Sequence, residues 1–361
     1  MEFLFIKGSS PRDVRISKYV SCLSSIGHEI SYWGWDRSSQ KPIDERLKEC
    51  RFVFSGGGFG RKTLFFYPIW IFKLFFCLLC DSKLGEREII AVNFDAALPT
   101  CLACLIRRKK FTYEILDEFA LSYNFPGILK CVIRVIDHWI IRRAKLLIHV
   151  DHNRITYAKD ACVVIENAPE DYWQGKERGY DAIGRIFAVT GSLSMGRGIG
   201  SICKFAEACP DVSLLVVGRF VDEKAKRCVS SLKNVICHEY IKQKDLFGMM
   251  EKCCGVFSLY DPSLEINRLA ASNKVYDAMM MGIPVITNKE VLNAEYIAKN
   301  GIGIVLDYNY NDTWKILANK DFVNQAIAIG RVGRKLYLEK FQFKAMVEQR
   351  LLPALQNVKA K

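Results

Sequence analysis

The chain has no hydrophobic run long enough to cross a bilayer. Its greasiest stretch, LFFYPIWIFKLFFCLLC at 64–80, falls short of the about 20 residues a span needs, and Pro68 and Lys73 interrupt it. Internal repeats and low-complexity tracts are absent, which excludes solenoid and disordered architectures. Acidic residues are the scarce charge: 39 Asp and Glu against 52 Lys and Arg give a formal net charge of +13. Such a surplus suits an anionic partner, whether nucleic acid, a phosphorylated small molecule or an acidic membrane surface. No compact Lys/Arg stripe or RNA-binding signature is present, so nucleic acid is set aside. Met1 passes directly into EFLFIKGSS with no basic leader or cleavage site, so a cytoplasmic chain with reduced thiols is expected.

Half of the 361 residues are hydrophobic, and the length accommodates two domains with separate cores. Strands are expected at EFLFI, EISYWGW, RFVFS, EIIAVN, FTYEIL, LLIHV and CVVIEN in the first half. In the second half they are expected at RIFAVTG, SLLVVG, VICHEY, GVFSLY, IPVITN and GIGIVL. Helix-periodic segments lie between most of them, the pattern of parallel sheets covered on both faces. The alternation pauses at NAPEDYWQGKERGYDAIG (167–184), which is polar and turn-rich and reads as a linker. We therefore expect an α/β chain with one domain over 1–168, a linker over 169–184, a second domain over 185–335 and a basic helical end over 336–361. CLLC (Cys77, Cys80) and CLAC (Cys101, Cys104) have the spacing of a zinc knuckle, but their greasy helical context favours core packing.

The second half opens with RIFAVTGSLSMGRGIGSICKFAEAC. A strand ends at Gly191, a loop follows, and a helix begins near Gly198 with Ile199, Ile202, Cys203 and Ala206 as its buried stripe. A glycine-bearing loop at a helix start offers free N–H groups and a positive dipole end to phosphate. Arg197 stands there as a cation able to grip two phosphate oxygens. Further on, SNKVYDAMMMGIPVI (272–286) reads as a helix capped by Ser272, stopped by Gly282, and running straight into a strand. Val275, Ala278 and Met279 form its packing face, while Asn273 and Asp277 share another side. An unpaired buried carboxylate costs several kcal/mol (roughly), so Asp277 needs a partner. That partner is either Lys274, in a local ion pair, or a ribose diol. In the second case Arg197, Lys274 and the two helix starts clamp a diphosphate at the C-terminal edge of the sheet.

VTGSLSMGRGI, LLVVG and SNKVYDAMMMGIPVI, in this order, resemble the nucleotide-sugar domain of glycosyltransferase family 4, the retaining GT-B enzymes. SSPRDVRISKYVSCLSSIGHEISYWGWDR is similar to that family's opening β-α-β unit, EIIAVNFDAALPT with FTYEILDEFA to its middle segment, and VIENAPEDYW to its interdomain linker. The resemblance implies two Rossmann-like domains whose parallel sheets face a cleft, with the C-terminal helix crossing back to the first domain. It implies donor-phosphate binding by Gly191, Arg197, Gly198, Lys274 and the helix start at Asn273, with Gly218 nearby; Ser192, also placed at the donor site, stands where the family often has Arg, leaving Arg197 and Lys274 to neutralise the phosphates. Asp277 falls where the family's second Glu binds ribose, and 238–241, with Tyr240, falls at the base pocket. The first Glu of the family's E-x7-E pair corresponds to Leu269, with Glu265 as a substitute nearby, and the first-domain His corresponds to Leu116. Those departures keep a non-catalytic scaffold subunit open as a second reading. Asp117 and Glu118 are candidates to orient or deprotonate an acceptor hydroxyl, although Asp117 also reads as a helix cap. Asp13 and Arg15 are further acceptor candidates, and the glycines of FSGGGFGRKT read as an acceptor loop. His149, Asp151 and His152 offer too few ligands for a metal site.

The implied donor is a nucleotide sugar, UDP-sugar by preference, with no metal cofactor, and the implied acceptor is a lipid-linked or oligosaccharide glycan. The stretch 64–80 and a second helix, GILKCVIRVIDHWIIRRAK, carry aromatics beside Lys130, Arg134, Arg142, Arg143 and Lys145. We read them as docking on the anionic inner leaflet of a plasma membrane in preference to a wholly internal role.

Overall fold

In the computed structural model the described residues are 1–361 without 59–60, 123–124, 153–160, 177, 240, 271 and 361. Contacts divide the chain into two units, Met1–Glu166 with Phe343–Lys361, and Asn167–Gln342.

The first unit is built on a seven-stranded sheet with the order β3-β2-β1-β4-β5-β6-β7. Its strands are β1 (Glu2–Lys7), β2 (Glu29–Asp36), β3 (Glu49–Ser55), β4 (Glu88–Val92), β5 (Thr112–Ile115), β6 (Leu146–His149) and β7 (Cys162–Val164). Every pairing is parallel. β1 is apolar at successive positions because helices cover both faces of a parallel sheet. The strand order reverses between β1 and β4, and in such sheets the crevice at the carboxyl ends of the strands beside the reversal is the usual ligand site. Arg15, on the first helix, is buried. It donates to Glu114 of β5 at 2.6 Å and to the carbonyls of Ile165 and Glu166, while Tyr19 donates to the same Glu114 oxygen. This network locks helix Val14–Ser25 to the sheet.

The second unit carries six parallel strands in the order β10-β9-β8-β11-β12-β13. These are β8 (Ile186–Leu193), β9 (Ser213–Phe220), β10 (Val235–His238), β11 (Gly255–Ser258), β12 (Val285–Asn288) and β13 (Gly303–Leu306). The reversal falls between β8 and β11. The expected linker is packed on this unit: Arg178 donates to the carbonyls of Glu251, Cys253 and Gly282, Asp171 pairs with Arg334, and Tyr337 donates to Pro169. Helix Phe322–Lys340 stays with the second unit, so the boundary falls after Gln342 where the sequence placed it after 335.

All fourteen cysteines are free thiols. Cys101 and Cys104 are buried on helix Phe94–Ile106, Cys77 is half-buried and Cys80 is exposed. Among the described residues no helix is long and apolar enough to cross a membrane.

Candidate functional site

Two helix starts meet the second unit's reversal point. The loop after β8 ends in Gly198, whose φ of +77° starts helix Ile199–Ala208 without any side-chain cap. An added Cβ at Gly198 would press into Leu259, just past β11, so only glycine lets this loop close onto the next strand. Helix Asn273–Met281 also begins uncapped. Ser272 occupies the capping position, but its hydroxyl accepts a hydrogen bond from Ser258 at 2.8 Å and does not return to the helix. Both helices therefore present their first N–H groups and positive dipole ends without a side chain to satisfy them.

Two cations stand at this point. The Arg197 guanidinium lies over the Tyr260 ring, 4.2 Å from its centroid, and Asn288 holds that tyrosine by both backbone groups. Lys274 runs past Gly191, where an added Cβ would lie 3.8 Å from its Cε. Loss of water around the Lys274 ammonium, together with the neighbouring Arg197, pushes its pKa down to about 8, with Asp277 pulling the other way. Among the described residues neither cation has a hydrogen bond or ion pair to its side chain. Two adjacent positive charges held without an acid between them are costly in an empty protein and favourable around an anion. Asp277 is half-buried one turn further along, Asn273 is exposed at the helix start, and Gly191 and Ser192 are exposed at the end of β8.

From there a cavity of about 700 Å³ extends along the ends of β8, β9 and β10, lined by Gly191, Ser192, Gly218, Glu223, Glu239 and Ile241 among others. Gly191 and Gly218 face each other in register, and an added Cβ at Gly218 would collide with the Gly191 carbonyl. The glycine pair thus lets β8 and β9 approach closely at the cavity mouth. His238 and Glu239 are exposed at the end of β10, and Tyr240 lies outside the described residues.

The first unit has its own cavity, of about 500 Å³, at its reversal point. It is lined from the ends of β1, β2, β4 and β5, including Lys7, Asp13, Trp35, Arg37, Asp95 and Asp117. Most of its charges are spoken for. Lys7 pairs with Asp13 at 2.7 Å, and Asp36 accepts from Ser38 and from the Lys41 backbone. Asp95 differs: burial raises its carboxyl pKa to about 6 against the pull of Arg37, Lys7 and the Trp70 indole N–H, and its Oδ2 is buried without a well-aligned hydrogen bond.

No family model matches the sequence, and no curated protein matches it. Solved structures match over nearly the whole chain. Anabaena HepE in complex with UDP shares 14% identity, covering 99% of this chain and 100% of that one with a TM-score of 0.70. WaaG, a glycosyltransferase involved in lipopolysaccharide biosynthesis, shares 13%, covering 97% and 98% with a TM-score of 0.64. Neisseria meningitidis UDP-GlcNAc 2-epimerase bound to UDP-GlcNAc shares 11%, covering 99% and 100% with a TM-score of 0.62. The chain has the GT-B fold.

On that fold the expected donor-side residues fall into one region. Gly191, Arg197, Gly198 and Lys274 meet at the reversal point, and Gly191, Ser192 and Gly218 line the adjoining cavity. Glu265 is exposed at the start of a four-residue helix, and nothing places it in either cavity. On the other unit Asp117 lines the cavity, but Glu118 is held in an ion pair with Arg134 at 2.7 Å. Arg15 is no acceptor contact, because Glu114 and two carbonyls use its guanidinium; Asp13 does line the cavity. Gly56, Gly57 and Gly58 all take positive φ after β3, while Gly60 lies outside the described residues. Among the described residues no group of three His, Cys, Asp or Glu is placed to hold a metal.

The aromatic run at 64–80 divides in two. Tyr67 and Trp70 are buried in the core, so they are unavailable to a membrane; Phe65, Phe72 and Phe76 point outward. Two neighbouring helices add Leu102, Leu105 and Ile106, and Ile128, Val132 and Val135, all exposed. The basic run 107–110 follows the first of these, and Arg142 and Arg143 close the second. Asp95 and the helix Phe94–Ile106 surface were missed in the sequence. The available signal was an acid directly after a strand in the otherwise apolar VNFDAALPT.

Proposed function

We propose that this protein is a glycosyltransferase that moves a sugar from a nucleoside diphosphate sugar, UDP-sugar by preference, to a lipid-linked glycan acceptor with retention of configuration. The observation that carries the reading is the pair of cations, Arg197 and Lys274, which make no ion pair among the described residues and stand beside two uncapped helix starts. Fixed positive charge at this place neutralises the diphosphate as it leaves, where negative charge develops in the transition state. Gly191, Ser192, Gly198 and Asn273 bring backbone and helix ends to the phosphates, Asp277 takes the ribose diol, and the cavity beside Gly218 takes the base. The UDP bound in HepE supports uracil as that base. Asp117, in the first unit's cavity, orients the acceptor hydroxyl, and the departing diphosphate accepts its proton, so the reading needs neither a protein base nor a metal.

The acceptor's lipid holds the reaction at a membrane. The apolar strips on helices Tyr67–Leu79, Phe94–Ile106 and Gly127–Arg143, rimmed by basic residues, are matched in chemistry to the anionic cytoplasmic leaflet. A non-catalytic scaffold subunit is the second reading, favoured by Leu269 at the place of the family's first Glu.

The test is UDP release from UDP-glucose, UDP-galactose and UDP-N-acetylglucosamine, with a membrane extract of lipid-linked glycans as acceptor. Acceptor-dependent release and a glycosylated lipid are expected. Tight UDP binding without turnover supports the scaffold, and a sugar epimerised but not transferred would overturn the transferase reading. Cosedimentation with phosphatidylglycerol vesicles tests the surface. Phe72→Asp with Ile128→Asp should lower binding about tenfold or more, from lost apolar burial; unchanged binding removes the membrane assignment.

A further inference from the structure

Asp95 is 5% exposed at the start of helix Phe94–Ile106; the Trp70 indole N–H lies close enough to its carboxyl to favour the charged form, yet Oδ2 and that indole N–H form no well-aligned hydrogen bond. Arg37 stands beside it. The guanidinium lies over Trp35 and donates from Nη2 to the Tyr67 hydroxyl at 3.0 Å, yet its Nε is also buried and unsatisfied. Both side chains converge on Gly8. A methyl group there would run into Asp95 Oδ2 and lie 3.6 Å from Arg37 Nη2, so the absence of a side chain keeps the carboxyl in place. No ion pair joins the two residues. A third feature belongs to the same floor: Asn93 holds φ +65° and ψ 164°, a backbone conformation costly for any residue but glycine, with its Oδ1 accepting from the Leu116 N–H.

Buried polar groups left unsatisfied in a strained, concave place ask for a ligand. An anion would meet the carboxyl, and the Lys7 ammonium available to offset it is already paired with Asp13. A cation would meet the guanidinium. A hydroxyl answers both, since it donates to the carboxylate and accepts from the guanidinium N–H. Trp35, Tyr67 and Phe119 give the same cavity apolar walls suited to the C–H faces of a sugar ring. We propose that Asp95 and Arg37 form a hydroxyl-recognition pair that seats a neutral saccharide in the first unit's cavity. Naming that saccharide as the acceptor rests on the transferase reading; the binding itself does not.

The experiment is ligand-observed saturation-transfer NMR on the full chain with the methyl glycosides of glucose, galactose, mannose and N-acetylglucosamine. At least one binds the native protein, and Asp95→Asn and Arg37→Gln each weaken it by about tenfold or more, the loss expected for a hydrogen bond to a charged group. UDP affinity stays unchanged in both. Gly8→Ala, which displaces the Asp95 carboxyl, gives the same loss and stands in should either variant fail to fold. Absence of binding by all these glycosides, or binding retained in the variants, overturns the proposal. Saccharide binding without any UDP binding would remove the transferase reading and leave this one standing.

Discussion

The two units repeat one architecture, a parallel sheet whose strand order reverses beside a cavity, yet they treat charge in opposite ways. In the second unit the charges at the reversal are chiefly cations, Arg197 and Lys274, which make no ion pair among the described residues, with Asp277 one turn away, and which stand at two bare helix starts. In the first unit the ions are largely cancelled, Lys7 against Asp13, and what stays open is one carboxyl and one guanidinium edge. Shared topology fixes where a ligand goes; the leftover charge fixes what it is. On the proposed reading the excess of positive charge serves a diphosphate, and the balanced, half-satisfied pair serves a hydroxylated neutral molecule.

The contrast can be broken most sharply with pH. Lys274 titrates near 8 in the empty protein, and a bound diphosphate requires its ammonium form. UDP affinity should therefore hold below pH 8 and fall by about tenfold per unit above it, up to the pKa of the complex. Calorimetric titration between pH 6.5 and 9.5 reads this, and Lys274→Arg should flatten the profile. The depressed lysine pKa also means that the folded empty protein gains stability as pH climbs from about 8 toward the ordinary lysine value of 10.5.

Asp95 sharpens the other side with a smaller effect of opposite sense. Its carboxyl, faced by Lys7, Asp13, Asp36, Arg37 and Asp117 around the cavity, has a folded pKa of about 6 against 3.8. Stability is thus lost as pH rises through that interval, and the loss is complete above it. Asp95→Asn should raise stability by about 1–3 kcal/mol at pH 7.5 and by nothing near pH 3.5, measured by urea unfolding. A variant less stable than the native chain at pH 7.5 would show that Asp95 is a structural anchor. Saccharide affinity should rise with pH through about 6 in the native chain and stay level in Asp95→Asn.

Much of this was legible in the sequence, because strand and helix periodicities are local. Every apolar run read as a strand is one, and the glycines at 198 and 282 mark the turns they were expected to mark, whereas β8 continues past Gly191 to Leu193. Side-chain roles set by distant partners were not legible. Arg15 reads as a loop cation until Glu114, ninety-nine residues away, is found to hold it. Ser272 reads as a cap until Ser258 is seen to take its hydroxyl. Trp70 reads as an interfacial anchor until the sheet behind it buries the ring. Asp95 escaped because its significance lies in what it fails to touch, and no spacing along a chain reports that.

The central claim is that Arg197 and Lys274 together hold a diphosphate, and calorimetric comparison of UDP with uridine tests it most directly. The native chain should prefer UDP by about a hundredfold or more, two charge-assisted contacts' worth, and the Arg197→Ala, Lys274→Ala double variant should lose most of that preference, keeping only what the helix starts supply. Equal affinity for UDP and uridine in the native chain, or an undiminished preference in the double variant, would contradict it.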